Sequence, residues 1–161
     1  MKAEFSPGLL AAIREVAGRY PKPQAALLPV LHLVQKEFGH IPPEGERTVA
    51  GLLGVNPIRV REATTFYSMF RRRPMGRYHL QVCVNLTCTL LESRTLLGYL
   101  QDGLGLRPGD TTPDGLFSLS TVECLGACEQ APCLMVNEEL IGNLDREKLE
   151  ALLSRLRTDH D

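Results

Sequence analysis

Apolar residues recur at helical spacing through the first 70 residues. Leu9, Leu10, Ile13, Val16 and Ala17 mark one helix, which Tyr20-Pro21-Lys22-Pro23 breaks. Leu27, Leu31, Val34 and Phe38 line a second. Pro29 falls in its first turns, where a missing N–H costs little, and Gly39 ends it before the turn Ile41-Pro42-Pro43. A third helix over 44–53 carries Val49, Leu52 and Leu53. Asn56-Pro57 reads as an N-cap with proline at the first helical position. The fourth helix that follows has Val60, Ala63, Tyr67 and Phe70 as its buried stripe. Four short helices predict a small bundle whose apolar faces are completed by docking.

The period changes after Arg71-Arg72-Arg73-Pro74-Met75-Gly76, so the chain reads as a helical docking bundle over 1–73 and a second domain over 74–161. The arginine run reads as a solvated linker, with contact to a partner as the alternative. Tyr78, Leu80, Val82 and Val84 alternate with polar neighbours and predict a strand with one apolar face. A helix over 91–102 follows, with Leu96, Leu97 and Leu100 inward and Leu104 beyond. Phe117–Glu123, Cys133–Asn137 and Glu139–Gly142 are further strands. Asp145 caps a last helix, with Leu144 and Leu149 set as a hydrophobic staple and Leu152, Leu153 and Leu156 continuing inward. The order β-α-β-β-α predicts an α+β or α/β domain around a small sheet.

Composition is that of an ordinary globular protein, 43% hydrophobic and 23% charged. No apolar run approaches the roughly 20 residues of a membrane span. Met1-Lys2-Ala3-Glu4-Phe5 is neither a signal core nor an Arg-rich transit stretch. The expectation is a cytoplasmic protein that meets a membrane only through partners. A net charge of −1 makes no case for nucleic acid, but the charge is uneven. Residues 1–73 hold eleven Lys/Arg against six Asp/Glu, and 74–161 hold seven against thirteen. Such a dipole can steer association.

Chemistry concentrates in the five cysteines, which in a cytoplasmic chain point to metal or redox work. Cys83-x4-Cys88 is followed, after thirty-five residues, by Cys124-x3-Cys128. Each pair lies at or just beyond a predicted strand end. If both ends share one sheet edge, four thiolates converge, the ligand set of a [2Fe–2S] cluster or of zinc. The wide first loop resembles the C-x4-C element of plant-type ferredoxins more than a tight zinc knuckle. Small residues in Leu125-Gly126-Ala127 let amides approach the sulfurs. Glu123 and Glu129 flank the second pair and would disfavour reduction if they lay near a cluster.

A dithiol C-x-x-C is absent, and His32, His40, His79 and His160 form no Cys-x-His pair of a Rieske centre. His79 reads as a surface or interface residue and His32 as structural. Cys133 reads as a structural thiol packed beside the second loop, after a Pro132 suited to a cis bond. With no G-x-G-x-x-G or G-x-x-x-x-G-K-[ST], the chain shows no nicotinamide, flavin or nucleotide site of its own. Electrons would come from, and go to, another centre.

Cys83 and Cys88 with Val122-Glu123-Cys124-Leu125-Gly126-Ala127-Cys128 resemble the thioredoxin-like [2Fe–2S] subunit of bacterial NADH:quinone oxidoreductase, respiratory complex I. Pro43-Glu44, Thr65-Phe66-Tyr67-Ser68-Met69-Phe70, Tyr78–Cys83, Thr112-Pro113-Asp114-Gly115 and Ala131-Pro132 extend the likeness over about residues 8–157. The resemblance implies a helical bundle before a thioredoxin-like ferredoxin domain. It implies one [2Fe–2S] cluster on Cys83, Cys88, Cys124 and Cys128. It also implies a partner subunit that binds flavin (FMN) and NADH and exchanges one electron with the cluster, and a location in the cytoplasm, peripheral on the inner membrane. The same module occurs in NAD-dependent hydrogenases, formate dehydrogenases and electron-bifurcating complexes. Cys133 stands where an apolar residue is the commoner expectation. A colourless zinc-stabilised interaction module is the reading from another class.

Overall fold

The computed structural model describes residues 4–159, so the expectations for Met1–Ala3 and for His160 lie outside the described residues. The chain divides into two compact units, Met1–Pro74 and Met75–Asp161.

The first unit holds α1 (Pro7–Gly18), α2 (Leu27–Phe38), α3 (Pro43–Leu53) and α4 (Pro57–Phe66). Their limits follow from local chemistry. The Ser6 hydroxyl accepts the Leu9 N–H at 3.0 Å, and Asn56 Oδ1 accepts that of Ile58 at 3.0 Å, each ahead of a proline at the first helical position. Gly39 closes α2 at φ +73°. Ile13, Val30, Leu31, Val34, Ile41, Val49 and Val60 are sealed from solvent and form one core.

Two expectations need correction here. Helix α4 stops at Phe66, and Tyr67 turns extended (ψ 113°), so Tyr67 and Phe70 do not continue its stripe. Thr64 and Thr65 explain the stop. Their hydroxyls donate back to the Arg61 carbonyl at 3.1 and 2.8 Å, competing with the helical ladder. The chain then doubles back along α2, with the Arg71 N–H donating to Gln35 Oε1 and the Ile41 N–H to the Arg71 carbonyl, both at 2.6 Å. Phe70 thus returns to the core while Phe66 is left 80% exposed beside Tyr67 and Met69. Nor is the arginine run a free linker. Arg72 and Arg61 both face the buried Glu46 carboxylate, at 3.7 and 3.1 Å, and the Thr64 hydroxyl donates to it at 2.7 Å.

The second unit is a four-stranded sheet in the order β2-β1-β3-β4: β1 (Tyr78–Cys83), β2 (Phe117–Val122), β3 (Leu134–Val136) and β4 (Glu139–Ile141). Strands β1 and β2 run parallel, and β3 is antiparallel to both β1 and β4. Helices α5 (Leu86–Leu90) and α6 (Ser93–Leu104) form the crossover between β1 and β2, and α7 (Arg146–Thr158) closes the unit. Leu80, Leu100, Leu119, Leu134 and Leu149 anchor its core. Asp145 caps α7 through the Lys148 N–H at 2.8 Å, with Leu144 and Leu149 both buried.

The helix expected over 91–102 is α6, and Glu92, at φ +68°, separates it from a short preceding helix, α5, that the periodicity does not predict. His79 is not a surface residue. It is buried, its Nε2 lies 2.7 Å from Ser120 Oγ, and its N–H donates to Asn137 Oδ1 at 3.0 Å. On the face of β1 opposite the leucine core, His79 and Cys83 are thus buried and Gln81 is half-buried. Among the described residues no helix is long and apolar enough to cross a membrane.

Glu46→Ala would remove the nearer of the Thr64 hydroxyl's two acceptors and free two guanidinium groups. Urea unfolding of the full chain should show a loss of about 1–3 kcal/mol; an unchanged midpoint would mean that water serves these groups equally well. At the other end of the chain, the Lys148 N–H holds the Asp145 carboxyl below its ordinary value. That stabilisation is present above the ordinary aspartate value of about 3.9 and is lost as pH falls through the lowered one. Asp145→Asn should therefore lose less melting temperature between pH 5 and pH 3 than the parent chain does.

Candidate metal centre

The parallel register sets Cys83 opposite Val122 at the carboxyl ends of adjacent strands. Pairing continues one step further, the Val84 N–H donating to the Val122 carbonyl at 2.9 Å, before the two chains part. One enters α5 and the other the loop of residues 123–130, so both cysteine pairs leave the same sheet edge. Helix α5 is started by the Asn85 carbonyl, which accepts the Thr89 N–H at 2.8 Å, and by Thr89 Oγ1, which donates to the Val84 carbonyl at 2.9 Å. Cys88 lies on its inner side, while Leu86 and Leu90 are 70% and 72% exposed.

Three thiols meet beneath this edge. Cys83, Cys88 and Cys133 are each 2% exposed, and their sulfurs lie within 4.8 Å of one another. Cys88 Sγ and Cys133 Sγ are 3.8 Å apart. Cys133 arrives through the β1–β3 pairing, its carbonyl accepting the Cys83 N–H at 3.2 Å, just after a cis Ala131–Pro132 bond. Ala127, Val122, Leu125 and Ala131 pack around the group. Burial raises the Cys88 thiol above its usual range and pushes that of Cys133 up to about 12. Loss of solvent around the charged form is the main cause in both.

Cys124 and Cys128 are exposed and stand outside this three-sulfur group. The loop that carries them is nevertheless fixed. Gly126 takes φ +71° and its N–H donates to Cys124 Sγ at 3.3 Å. Cys128 opens a short 3₁₀ turn, Cys128–Gln130. Gly142 presses on that turn so closely that an added Cβ would lie 2.5 Å from that of Gln130. The residues just before each exposed cysteine touch the buried group: the Glu123 carbonyl accepts from Cys83 Sγ at 3.9 Å, and Ala127 is part of the packing. The Glu123 and Glu129 side chains are exposed.

The structure thus joins Cys83 to Cys88 and adds Cys133, which the spacing alone reads as a structural thiol. Its nearness to Cys88 depends on β3 pairing with β1, a long-range fact that no local motif carries. No histidine joins the sulfurs among the described residues: His32 lies against the Phe70 ring at 5.0 Å, and His40 Nδ1 faces the Phe38 carbonyl at 3.0 Å. A donor set of sulfur alone suits iron–sulfur, zinc or other soft metals and not magnesium or calcium.

The model of the family described as thioredoxin-like [2Fe–2S] ferredoxin matches residues 13–157. A subunit of the NADH-quinone oxidoreductase of Rhizobium meliloti (strain 1021) is 50% identical over 145 residues, covering 90% of this chain and 86% of that protein. Subunit 2 of the NADH-quinone oxidoreductase of Thermus thermophilus is 45% identical over 148 residues, covering 90% and 82%. Among solved structures, an air-oxidized NAD+-reducing [NiFe]-hydrogenase shares the fold, with a TM-score of 0.72 at 20% identity over 83% of this chain and 23% of that one.

Thiol counting tests the division between buried and exposed sulfurs. After anaerobic removal of bound metal with a chelator, a disulfide reagent should titrate two thiols quickly and three slowly. The Cys124→Ser/Cys128→Ser double variant should lose the fast phase. Three or more fast thiols in the parent chain would mean that the buried group is open to solvent.

Proposed function

The chain belongs to the thioredoxin-like [2Fe–2S] ferredoxin family, and on that basis we propose that it is the electron-transfer subunit of the NADH-oxidising module of a respiratory NADH:quinone oxidoreductase, passing single electrons to and from a flavin on a partner subunit. The observation that carries the site is the parallel β1–β2 pairing, which sends Cys83–Cys88 and Cys124–Cys128 off one sheet edge. Those four cysteines would hold the cluster, which when bound supplies one-electron chemistry.

In this reading Cys83 and Cys88 form the buried half of the ligand set and Cys124 and Cys128 the half on the loop. The Gly126 amide offsets thiolate charge at Cys124, and Leu125 and Ala127 keep water from the inner sulfurs. Residues 74–161 serve as the cluster domain and 1–73 as the docking bundle.

Apolar side chains around the site and on the bundle support a protein partner: Leu86, Leu90 and Leu91 beside Cys88, and Phe66, Tyr67 and Met69 on the first unit, are exposed. Isolated apolar residues are ordinary on a surface, but aromatic and aliphatic groups gathered in short segments are the kind that interfaces cover. The partner would hold the FMN and bind NADH, since the motifs for a nucleotide are missing from this chain. The assembly would sit in the cytoplasm against the inner membrane.

Metal analysis of anaerobically purified protein decides the matter. Two irons and two acid-labile sulfides per chain, with an S = 1/2 EPR signal after dithionite, are expected, and Cys124→Ser or Cys128→Ser should lose or severely alter that signal. Zinc without sulfide, persisting after attempted reconstitution, would replace electron transfer with a structural zinc site. Co-purification with a nickel-containing subunit instead of quinone-site subunits would assign the chain to a soluble hydrogenase.

A further inference from the structure

We infer that Cys133 is a positioning residue whose S–H donates a hydrogen bond to the Cys88 sulfur, making the bound cluster easier to reduce. This rests on the reading above that Cys88 is a ligand and Cys133 is not.

The two sulfurs are 3.8 Å apart and both are 2% exposed, so water does not compete for the contact. Cys133 is held there from both sides. Its carbonyl is tied to the Cys83 N–H at 3.2 Å, and the neighbouring Pro132 carbonyl accepts the Leu144 N–H at 3.1 Å. Those bonds fix the backbone at Cys133, and its thiol is enclosed with Cys83, Cys88 and Ala127, against which Val122, Leu125 and Ala131 pack.

Reduction of a thiolate-bound cluster adds one negative charge. A donor aimed at a ligand sulfur stabilises the more negative state more than the less negative one, and a buried position strengthens the effect. An aliphatic side chain of similar size would fill the same space and donate nothing. A thiol here thus has an electrostatic effect that packing alone does not supply.

The test uses the full chain with its cluster assembled anaerobically, in the parent, Cys133→Val, Cys133→Ala and Cys133→Ser. Iron, sulfide and EPR-monitored redox titration are the readouts. Two irons and two sulfides are expected throughout. The midpoint should fall in the Val and Ala variants, lowering the reduced-to-oxidised ratio at fixed potential several-fold, where a tenfold change is about 59 mV for one electron. Ser keeps a donor and should restore most of the shift. An intact cluster with an unchanged midpoint in Val and Ala overturns the hydrogen bond while leaving the ligands as assigned. An equal fall in Ser overturns it in favour of packing. Loss of iron in all three variants, with retention in Cys124→Ser, overturns the ligand assignment itself and makes Cys133 a ligand. Should Val alone lose iron through overpacking, the Ala midpoint decides.

Discussion

Parallel pairing of β1 with β2 is the constraint on which this site depends. Six consecutive Cα pairs, from Tyr78↔Phe117 to Cys83↔Val122, bring two loops together although about forty residues separate them in the chain. Parallel neighbours need a crossover, and α5 and α6 supply it while filling the core with Leu96 and Leu100. Register matters as much as pairing. Alternation along β1 sends Leu80 and Val82 into the leucine core, and Cys83 into a separate small group with Cys88, Ala127 and Cys133. A slip of one residue would exchange those faces, turning Cys83 into the leucines and Val82 towards the loops.

The sulfurs divide by the cost of charge. A neutral thiol behaves as a small hydrophobe, so Cys83, Cys88 and Cys133 pack readily below the loops. A buried thiolate without compensation is costly, which is why burial moves Cys88 and Cys133 towards the protonated form. Metal binding needs the opposite state, and compensation must then come from the ion and from N–H and S–H donors around it. Placing two of the proposed ligands on an exposed loop lowers that cost, because water solvates their charge before the set closes. The loop itself takes a left-handed turn at Gly126 and packs closely on Gly142 through Gln130.

Much of this was legible in the chain because helix ends and strand alternation are written locally. Asn56-Pro57, Gly39 and Asp145 each mark a boundary through their own hydrogen bond or backbone angle, and the structure puts boundaries there. What escaped reading was non-local or finely balanced. Tyr67 and Phe70 fit a helical stripe, but two threonine hydroxyls end α4 first. His79 looks exposed while β1 is taken for a one-sided strand, but it is buried, with its ring against Ser120 of β2 and its backbone N–H bonded to Asn137 just after β3. The spacing of the four proposed ligands points to one sheet edge. Cys133 is read as a thiol packed beside the second loop, and it does lie with Ala127, but its approach to Cys88 comes from the pairing of β3 with β1 and is not written locally.

The balance of charges around the site follows from exposure. Glu123 and Glu129 adjoin the outer cysteines, and proximity in sequence suggests that they make any centre there harder to reduce. Their side chains stand in water, however, where the interaction between unit charges at 4 Å is about 1 kcal/mol and salt screens it further. The Cys133 contact is buried and directed at one sulfur, and the effective dielectric about it is lower. A single weak donor inside can therefore outweigh two full charges outside. On this argument the residues that tune the centre most are those that the sheet holds beneath it.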